Sequence, residues 1–238
     1  MTQDLFSHLF GGLIVSCQAL EDEPLHGADT MMKMAQAAEL AGAVGIRANG
    51  AADVKAIRAH THLPVIGLIK REYADSEIYI TATRREVDEL IEAGATMIAI
   101  DGTCRPRPQG ETLEGLVSYM KLRGVPVMAD ISTFEEAKYA EEIGVDCVST
   151  TMSGYTSYSS QQEDPDIKLV KEASEALRIP VIAEGRIWHP DQAAGALKAG
   201  AFAVVVGSAI TRPQLIAERY VQAIRKVEPK HGYEIPHS

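Results

Sequence analysis

Cysteine is scarce in this 238-residue sequence, which contains only Cys17, Cys104 and Cys147. The three residues are widely spaced and form no Cys-x-x-Cys pair, so we expect them to be reduced, as in a cytoplasmic protein. The seven histidines form no cluster with carboxylates at metal-ligand spacing. The sequence therefore predicts no metal site.

Positively charged residues are outnumbered by negatively charged ones, and long apolar runs are absent. Lysine and arginine total 23 against 33 aspartates and glutamates, and the net charge of -10 argues against binding to nucleic acid or to an anionic membrane. No apolar run is long enough to span a bilayer. Residues 1–6 lack the basic segment of a signal peptide. We therefore expect a cytoplasmic protein without a nucleic-acid or membrane partner.

The composition favours one large globular domain. Apolar residues make up 46% of the chain, which is enough for a sizeable core. Barrels of alternating strands and helices often have this length as a single domain. No linker or low-complexity tract divides the sequence, so we expect one domain over residues 1–238, with residues 231–238 as a loose tail.

Three segments share a proline followed by a short apolar run and then charged or polar residues. They are residues 63–70, 125–132 and 179–186. Counted from each proline, the polar residues fall four or six positions on, at Lys70, Asp130, Ser132, Glu184 and Arg186. Side chains alternate along a strand, so even offsets place all five on the equivalent face of three buried strands.

A second kind of segment begins with a glycine where a helix should stop and continues as a strand. These glycines are Gly42, Gly94, Gly144 and Gly200. Seven residues after each glycine stand, respectively, Asn49, Asp101, Thr151 and Gly207. Arg47 and Ser149 lie two residues before their strand's last position, and therefore on the same face.

The two kinds of segment alternate, with helical patterns between them. A first strand over residues 11–18 and a helix over 28–41 precede the glycine-led strands, and amphipathic stretches follow at 51–60, 83–93, 112–123, 133–143, 165–178, 190–199 and 213–227. Three of them carry capping-box patterns, Thr83 with Glu86, Thr133 with Glu136 and Thr211 with Gln214. Eight strands in alternation with helices predict an α/β fold, the (β/α)8 barrel, with a doubly wound open sheet as the alternative.

A barrel places its active site at the carboxyl ends of the strands. The predicted strand ends carry Gln18, Arg47, Asn49, Lys70, Asp101, Asp130, Ser149, Thr151, Glu184, Arg186, Gly207 and Ser208. Gly185 follows the seventh strand and Gly207 with Ser208 follows the eighth, where barrels commonly bind phosphate. Arg212 stands just before the next helix and could close over that phosphate.

Lys70 and Glu184 lie on strands three and seven, which are opposite one another in a closed ring of eight. A lysine and a carboxylate placed in this way can reach both faces of one carbon. The arrangement suits removal of a proton beside a carbonyl and its return from the other side, provided that burial or a nearby cation lowers the pKa of the lysine. Arg47 and Arg186 are candidate cations. The alternative is a structural ion pair of Lys70 with Glu184 or Asp130.

Other features have two interpretations each. Asp101 could bind Mg²⁺, although a single carboxylate is weak evidence, and Arg105 and Arg107 either reach a substrate or are solvated. The loop over residues 154–163, with its two tyrosines, is either a lid or a plain surface loop.

The chain resembles the N-acetylmannosamine-6-phosphate 2-epimerase family, also called N-acylglucosamine-6-phosphate 2-epimerases, over residues 12–227. The segments that carry the resemblance are 13–20, 45–50, 64–71, 101–103, 128–132, 150–156, 183–186 and 206–213. The resemblance implies inversion at C2 of an amino-sugar phosphate without metal or organic cofactor, in the breakdown of sialic acid. It implies that Lys70 and Glu184 are the acid/base pair and that Gln18, Arg47, Asp130 and Arg212 contact the substrate.

Two alternatives stand beside this expectation. One is another phosphate-using barrel enzyme, such as a pentose-phosphate 3-epimerase or an enzyme of thiazole or histidine synthesis. The other is a non-catalytic protein that binds sugar phosphates. The sequence does not determine the oligomeric state, and a homodimer is the expectation for this fold class.

Overall fold

A computed structural model describes residues 2–227 of the chain. Eight parallel strands pair in sequence order and close into a barrel, because the first strand also pairs with the eighth. The strands are β1 (Leu13–Cys17), β2 (Gly45–Asn49), β3 (Val65–Leu68), β4 (Met97–Asp101), β5 (Val127–Asp130), β6 (Cys147–Ser149), β7 (Val181–Ala183) and β8 (Ala203–Val206). The predicted (β/α)8 barrel is confirmed, and the open-sheet alternative is wrong. The predicted loose tail, residues 231–238, lies outside the described residues.

Helices connect the strands and cover the outside of the barrel. They are α1 (Thr2–Leu9), α2 (Ala28–Leu40), α3 (Ala51–His60), α4 (Arg84–Glu92), α5 (Leu113–Leu122), α6 (Phe134–Glu142), α7 (Ile167–Ala176), α8 (Pro190–Lys198), α9 (Ser208–Thr211) and α10 (Pro213–Arg225). Short 3-10 turns at Pro108–Gly110 and Thr150–Met152 follow β4 and β6.

The capping predictions were right for two helices. Thr83 with Glu86 and Thr133 with Glu136 form complete capping boxes on α4 and α6. The third pattern was misread, because Thr211 ends α9 instead of starting α10. Its hydroxyl donates to the carbonyl oxygen of Ser16 at 2.8 Å. This hydrogen bond connects the end of α9 to β1.

Apolar side chains fill both the inside of the barrel and the layer between strands and helices. Ile14, Ile66 and Met97 belong to the inner cluster, which also holds Leu5 and Leu9 of α1. Helix α1 thus closes the amino-terminal end of the barrel, and the interior is a packed core. Polar side chains are consequently concentrated at the opposite, carboxyl end of the strands.

Helix α10 differs from the other long helices, since none of its side chains is buried within residues 2–227. Tyr220 and Ile224 are 69% and 70% exposed. Across the same described part of the chain, every helix is too short or too polar to cross a membrane.

Candidate active site

The carboxyl ends of the strands surround a cavity of about 280 Å³. Eight of the nine residues predicted for the site line it: Gln18, Arg47, Lys70, Glu184, Gly185, Gly207, Ser208 and Arg212. The ninth, Asp130, is fully buried and hydrogen-bonded to Arg47. The fold therefore brings the nine residues together from six different strand ends, while their individual roles remain predictions.

Arg47, on β2, is a buried cation with two acidic neighbours. Its Nη1 and Nη2 atoms donate to the two carboxylate oxygens of Asp130, at 3.0 and 2.5 Å. The Nη1 atom also lies 3.0 Å from Oε2 of Glu184. Burial alone would lower the pKa of Arg47, but the two carboxylates outweigh it and raise the pKa. The guanidinium is therefore a permanent positive charge beside the cavity.

Lys70 lies two residues beyond β3, and its backbone contacts a residue on each side of it. Its N–H donates to Oδ1 of Asn49 at 2.9 Å, and it pairs with Ile80 in an antiparallel bridge. The side chain is open to water through the cavity mouth, yet surrounding protein atoms desolvate it. That desolvation and the positive charges of Arg47 and Arg212 lower the pKa of Lys70 to about 8. A useful fraction of neutral amine is thus present near neutral pH.

Glu184 follows β7, across the ring from Lys70. Burial raises its pKa, the positive charge of Arg47 opposes that rise, and the negative charge of Asp130 adds to it. Oε2 lies 2.9 Å from the hydroxyl oxygen of Thr151 and 3.3 Å from that of Ser149. A carboxyl and an amine whose environments move their pKa values toward each other are typical of an acid/base pair.

The remaining predicted residues form one end of the cavity. Gly185 has a φ of 105°, a left-handed conformation that favours glycine. Helix α9 begins at Ser208, so the first N–H groups of a helix, which have no acceptor inside it, lie in the cavity wall. The helix predicted to begin at Pro213 is present as α10, and the short helix α9 before it was not predicted. Arg212 also lines the cavity and pairs with Glu23 at 2.7 Å.

Gln18 follows β1 and is 8% exposed. Its Nε2 atom donates to the Ser16 hydroxyl at 2.8 Å. Its Oε1 atom is buried and has no hydrogen-bond partner among the described residues. Because an unmet buried acceptor costs free energy, this amide is suited to a hydrogen-bond donor on a ligand.

Two side chains predicted to share the strand face do not follow it, because they lie past the ends of β5 and β7 where the backbone turns. Lys70 also lies past the end of its strand, but its bridge to Ile80 keeps the backbone extended there. Ser132 donates to Glu136, at the start of α6, and does not line the cavity. Arg186 lines the cavity but has a φ of 58° and donates to backbone oxygens of Ser153 and Asp164. Strict alternation of side chains stops where the extended backbone stops.

Asp101 is hydrogen-bonded to both of its neighbouring arginines, Arg105 and Arg107. Arg105 donates to the Asp101 carboxylate at 2.7 Å, and Arg107 donates to backbone carbonyls, including that of Ala82 at 3.0 Å. Neither arginine lines the cavity. Across residues 2–227, His, Cys, Asp and Glu side chains form no group of three or more suited to a metal ion.

The loop over residues 154–163, left open as lid or surface loop, is tied to the barrel by side chains. The Tyr158 hydroxyl donates to Glu136 at 2.6 Å, and the Thr156 hydroxyl donates to Ser132 at 3.1 Å. Tyr155 lines the cavity. In this conformation the loop is a wall of the site.

Tyr79, Ile80 and Trp188 also line the cavity, and the strand patterns of the sequence did not predict them. The first two lie on a hairpin that returns to Lys70, with Arg71 donating its N–H to the Tyr79 carbonyl at 2.9 Å. No periodic pattern marks this excursion. Trp188 is the single tryptophan and follows Glu184 by four residues, so its position close to a predicted strand end could have marked it as a cavity residue. Its ring lies under the Arg219 guanidinium of α10, 4.4 Å from ring centre to Cζ.

The fold and the cavity define a (β/α)8 barrel whose strand ends place an amine and a carboxyl group on opposite sides of one cavity. Residues 31–226 match the family described as "Putative N-acetylmannosamine-6-phosphate epimerase". The chain is 56% identical over 214 residues to a protein of Clostridioides difficile named as a 2-epimerase of the same substrate, covering 90% of this chain and 96% of the relative. A relative so named from Caldanaerobacter subterraneus is 51% identical over 228 residues, covering 95% and 96%.

A solved structure agrees with these sequence matches. The N-acetylmannosamine-6-phosphate 2-epimerase from Clostridium perfringens is 51% identical and superposes with a TM-score of 0.91, covering 92% of this chain and 96% of that one. The chain belongs to the N-acetylmannosamine-6-phosphate epimerase family, as the resemblance in its motifs indicated.

Proposed function

We propose that this protein interconverts N-acetylmannosamine 6-phosphate and N-acetylglucosamine 6-phosphate, the N-acylglucosamine-6-phosphate 2-epimerase reaction, in the breakdown of sialic acid and other amino sugars. The observation that carries the proposal is the placement of Lys70 and Glu184 on opposite sides of one cavity. Family membership at 50% identity or more to relatives so named supports the choice of substrate.

The chemistry follows from the acidity of the substrate. The hydrogen on C2 is acidic only when C1 is an aldehyde, so the sugar ring opens before or during deprotonation. One member of the pair then removes the C2 proton and an enolate forms, whose negative charge, on the C1 oxygen, Arg47 or the Lys70 ammonium stabilises. The other member returns a proton to the opposite face, which inverts C2. These proton transfers need only the protein's own groups.

The other predicted residues bind the substrate. Gln18, Arg47 and Arg212 contact the sugar phosphate, and the fully buried Asp130, predicted to contact it too, acts through its hydrogen bonds to Arg47. Backbone N–H groups at Gly185, Gly207 and Ser208 surround the phosphate oxygens, where the short α9 helix contributes its positive end. Arg47 and Arg212 place two positive charges beside an anionic ligand.

A proton NMR time course in D₂O with N-acetylmannosamine 6-phosphate tests the function. We expect N-acetylglucosamine 6-phosphate to form with deuterium at C2, because the proton exchanges with solvent on the enzyme. Retention of the original C2 hydrogen through inversion would exclude an exchanging two-base mechanism. Turnover of a ketose phosphate in preference would favour another barrel enzyme, and saturable binding without turnover would favour a binding protein.

Replacing Arg212 with methionine tests the phosphate end of the site. We expect KM for the phosphorylated sugar to rise about 10- to 100-fold, since one charge-assisted hydrogen bond to phosphate is lost. Steady-state kinetics measure the change. Glu23→Gln is the matched control, because it removes the ion-pair partner of Arg212 while keeping the guanidinium. An unchanged KM in R212M would remove Arg212 from the phosphate site.

We also propose a homodimer formed through α10. Tyr220 and Ile224 lie one turn apart on one face of α10, and Val227 lies two residues past its end. All three are more than two-thirds exposed. An apolar stripe of this kind is typical of an interface, and a second copy presents the same stripe.

Light scattering after size exclusion measures this association. We expect twice the 25.7 kDa mass of one chain for the wild type, and a single-chain mass for the double variant Y220D/I224D. Leu40→Asp serves as the control, because Leu40 is 91% exposed on α2, outside the stripe. A wild-type mass of one chain at micromolar concentration would contradict the dimer.

We place the protein in the cytoplasm. Cys17, Cys104 and Cys147 are all free thiols, which agrees with a reducing compartment. Fractionation of the cells that express the protein tests this placement.

A further inference from the structure

The hydroxyl oxygen of Thr151 has three close oxygen neighbours. It lies 2.9 Å from Oδ1 of Asp130, 2.9 Å from Oε2 of Glu184 and 2.8 Å from the hydroxyl oxygen of Ser149. Asp130 and Ser149 are fully buried, and the Glu184 side chain is 14% exposed. All three separations are hydrogen-bond distances, so each contact needs one hydrogen between its two oxygens.

The hydrogens available at this point can be counted. Thr151 supplies one hydrogen of its own, and Ser149 supplies a second by donating to Thr151 at 2.8 Å, the shorter of its two contacts, the other being to Oε2 of Glu184 at 3.3 Å. The third contact joins the Thr151 oxygen to a carboxylate oxygen. If both carboxylates are ionised, that contact brings two acceptors together without a hydrogen. The geometry is therefore satisfied when one of the two carboxyl groups is protonated.

Glu184 is the better carrier of that proton. Asp130 receives two hydrogen bonds from Arg47, one on each oxygen, which favours its ionised form. Glu184 has only a single contact with Arg47, between Nη1 and Oε2 at 3.0 Å, and burial together with the Asp130 charge outweighs it and raises the pKa of Glu184. The charged groups that face Glu184 come from three other elements, namely Arg47 on β2, Asp130 on β5 and Lys70 beyond β3.

We propose that Thr151 is a positioning residue that sets the protonation of Glu184, and that Glu184 is a carboxylic acid when the site has this geometry. The proposal rests on the function proposed above. When Glu184 acts as the acid, its O–H bond breaks, the proton forms the new C–H bond at C2, and the electron pair stays on Oε2. The Thr151 hydrogen, which had pointed to Asp130, then turns to the new Glu184 carboxylate. In the reverse direction each step runs backward.

Neighbouring Thr150 provides a matched control. Its hydroxyl accepts from the Glu184 N–H at 3.0 Å and lies 2.9 Å from the Glu184 carbonyl oxygen. Thr150 therefore holds the backbone of Glu184, whereas Thr151 contacts its carboxyl group. Thr150→Val and Thr151→Val each remove one hydroxyl from adjacent residues, and only the second removes it from the carboxyl group.

The first measurement is the pH profile of kcat. In a two-base pair the acid limb appears where both groups become protonated, so it reports an apparent pKa of the pair. Thr151 accepts from the protonated carboxyl group of Glu184 and donates to the ionised one. The bond to the ionised form is the stronger, so loss of Thr151 destabilises that form more. We expect T151V to lower kcat about 10- to 100-fold and to move the acid limb about one unit to higher pH, with T151S close to wild type. T150V should leave the limb in place. A wild-type limb in T151V, or the same limb shift in T150V, overturns the proposal.

The second measurement does not depend on turnover. Infrared difference spectra of wild type against E184Q at neutral pH should contain the C=O stretch of a protonated carboxylic acid, assigned to Glu184. This band should shift in T151V relative to wild type, and it should stay close to its wild-type position in T151S, which keeps the hydroxyl, and in T150V. Absence of the band in the wild type overturns the proposal even if T151V fails to fold. Absence of epimerase activity in a wild type that has the band would instead contradict only the proposed function.

Discussion

Replacing Lys70 with alanine is expected to lower kcat/KM for epimerisation about 1,000-fold or more, since a positioned acid/base group commonly contributes an effect of this size. Glu184→Gln should produce a loss of similar magnitude. Both losses have the same cause: each variant keeps the cavity but lacks a group for one face of C2. Coupled or NMR-based assays of product formation measure the change.

Deuterium exchange separates the roles of the two residues. A variant that lacks one base can still exchange the C2 hydrogen of the epimer that faces the remaining base, without forming the other epimer. K70A and E184Q should therefore each wash deuterium into one substrate, and the two variants should prefer opposite epimers. Lys55→Ala is the control, because Lys55 is an exposed lysine of α3. Near-normal epimerisation by either K70A or E184Q would remove that residue from the chemistry.

Replacing Arg47 with leucine is expected to lower the free energy of unfolding by about 3–5 kcal/mol. Arg47 and Asp130 have 1% and 0% exposed side chains and share two hydrogen bonds. Removing the arginine leaves the Asp130 carboxylate buried without its cation, and the desolvation cost of that charge is no longer offset. Chemical denaturation measures the change.

Two further variants define the comparison. The double variant R47L/D130L should lose less stability than R47L alone, because neither charge is left unpaired. Lys33→Ala removes the exposed ion pair with Asp29, where both side chains are at least two-thirds exposed, and should cost about 0.5 kcal/mol or less. A free energy of unfolding for R47L within 1 kcal/mol of wild type would mean that Asp130 is neutral or hydrated, which contradicts a buried ion pair with Arg47.

The site shows which side-chain positions the period-two alternation and the capping patterns of the sequence can predict. Period-two alternation located Lys70, Asp130 and Glu184 at one cavity because those side chains end or closely follow strands. The same count placed Ser132 with them, but the chain turns after β5 and Ser132 bonds to α6, whereas the bridge to Ile80 keeps Lys70 extended beyond β3. The capping pattern at Thr211 failed for a related reason. A four-residue helix ends there, and no residue type signals so short a helix.

The sequence alone predicted the alternation of eight strands with helices, a (β/α)8 barrel in preference to an open sheet, and the end of the barrel that carries the polar residues. These properties follow from alternation and from the helix signals between strands, which depend on near neighbours along the chain. The tertiary structure decided which charges meet. The lowered pKa of Lys70 arises from burial and from Arg47 and Arg212, which are 23 and 142 residues away in the chain. Desolvation and charge interactions depend on distances in space, and only the closed barrel sets those distances.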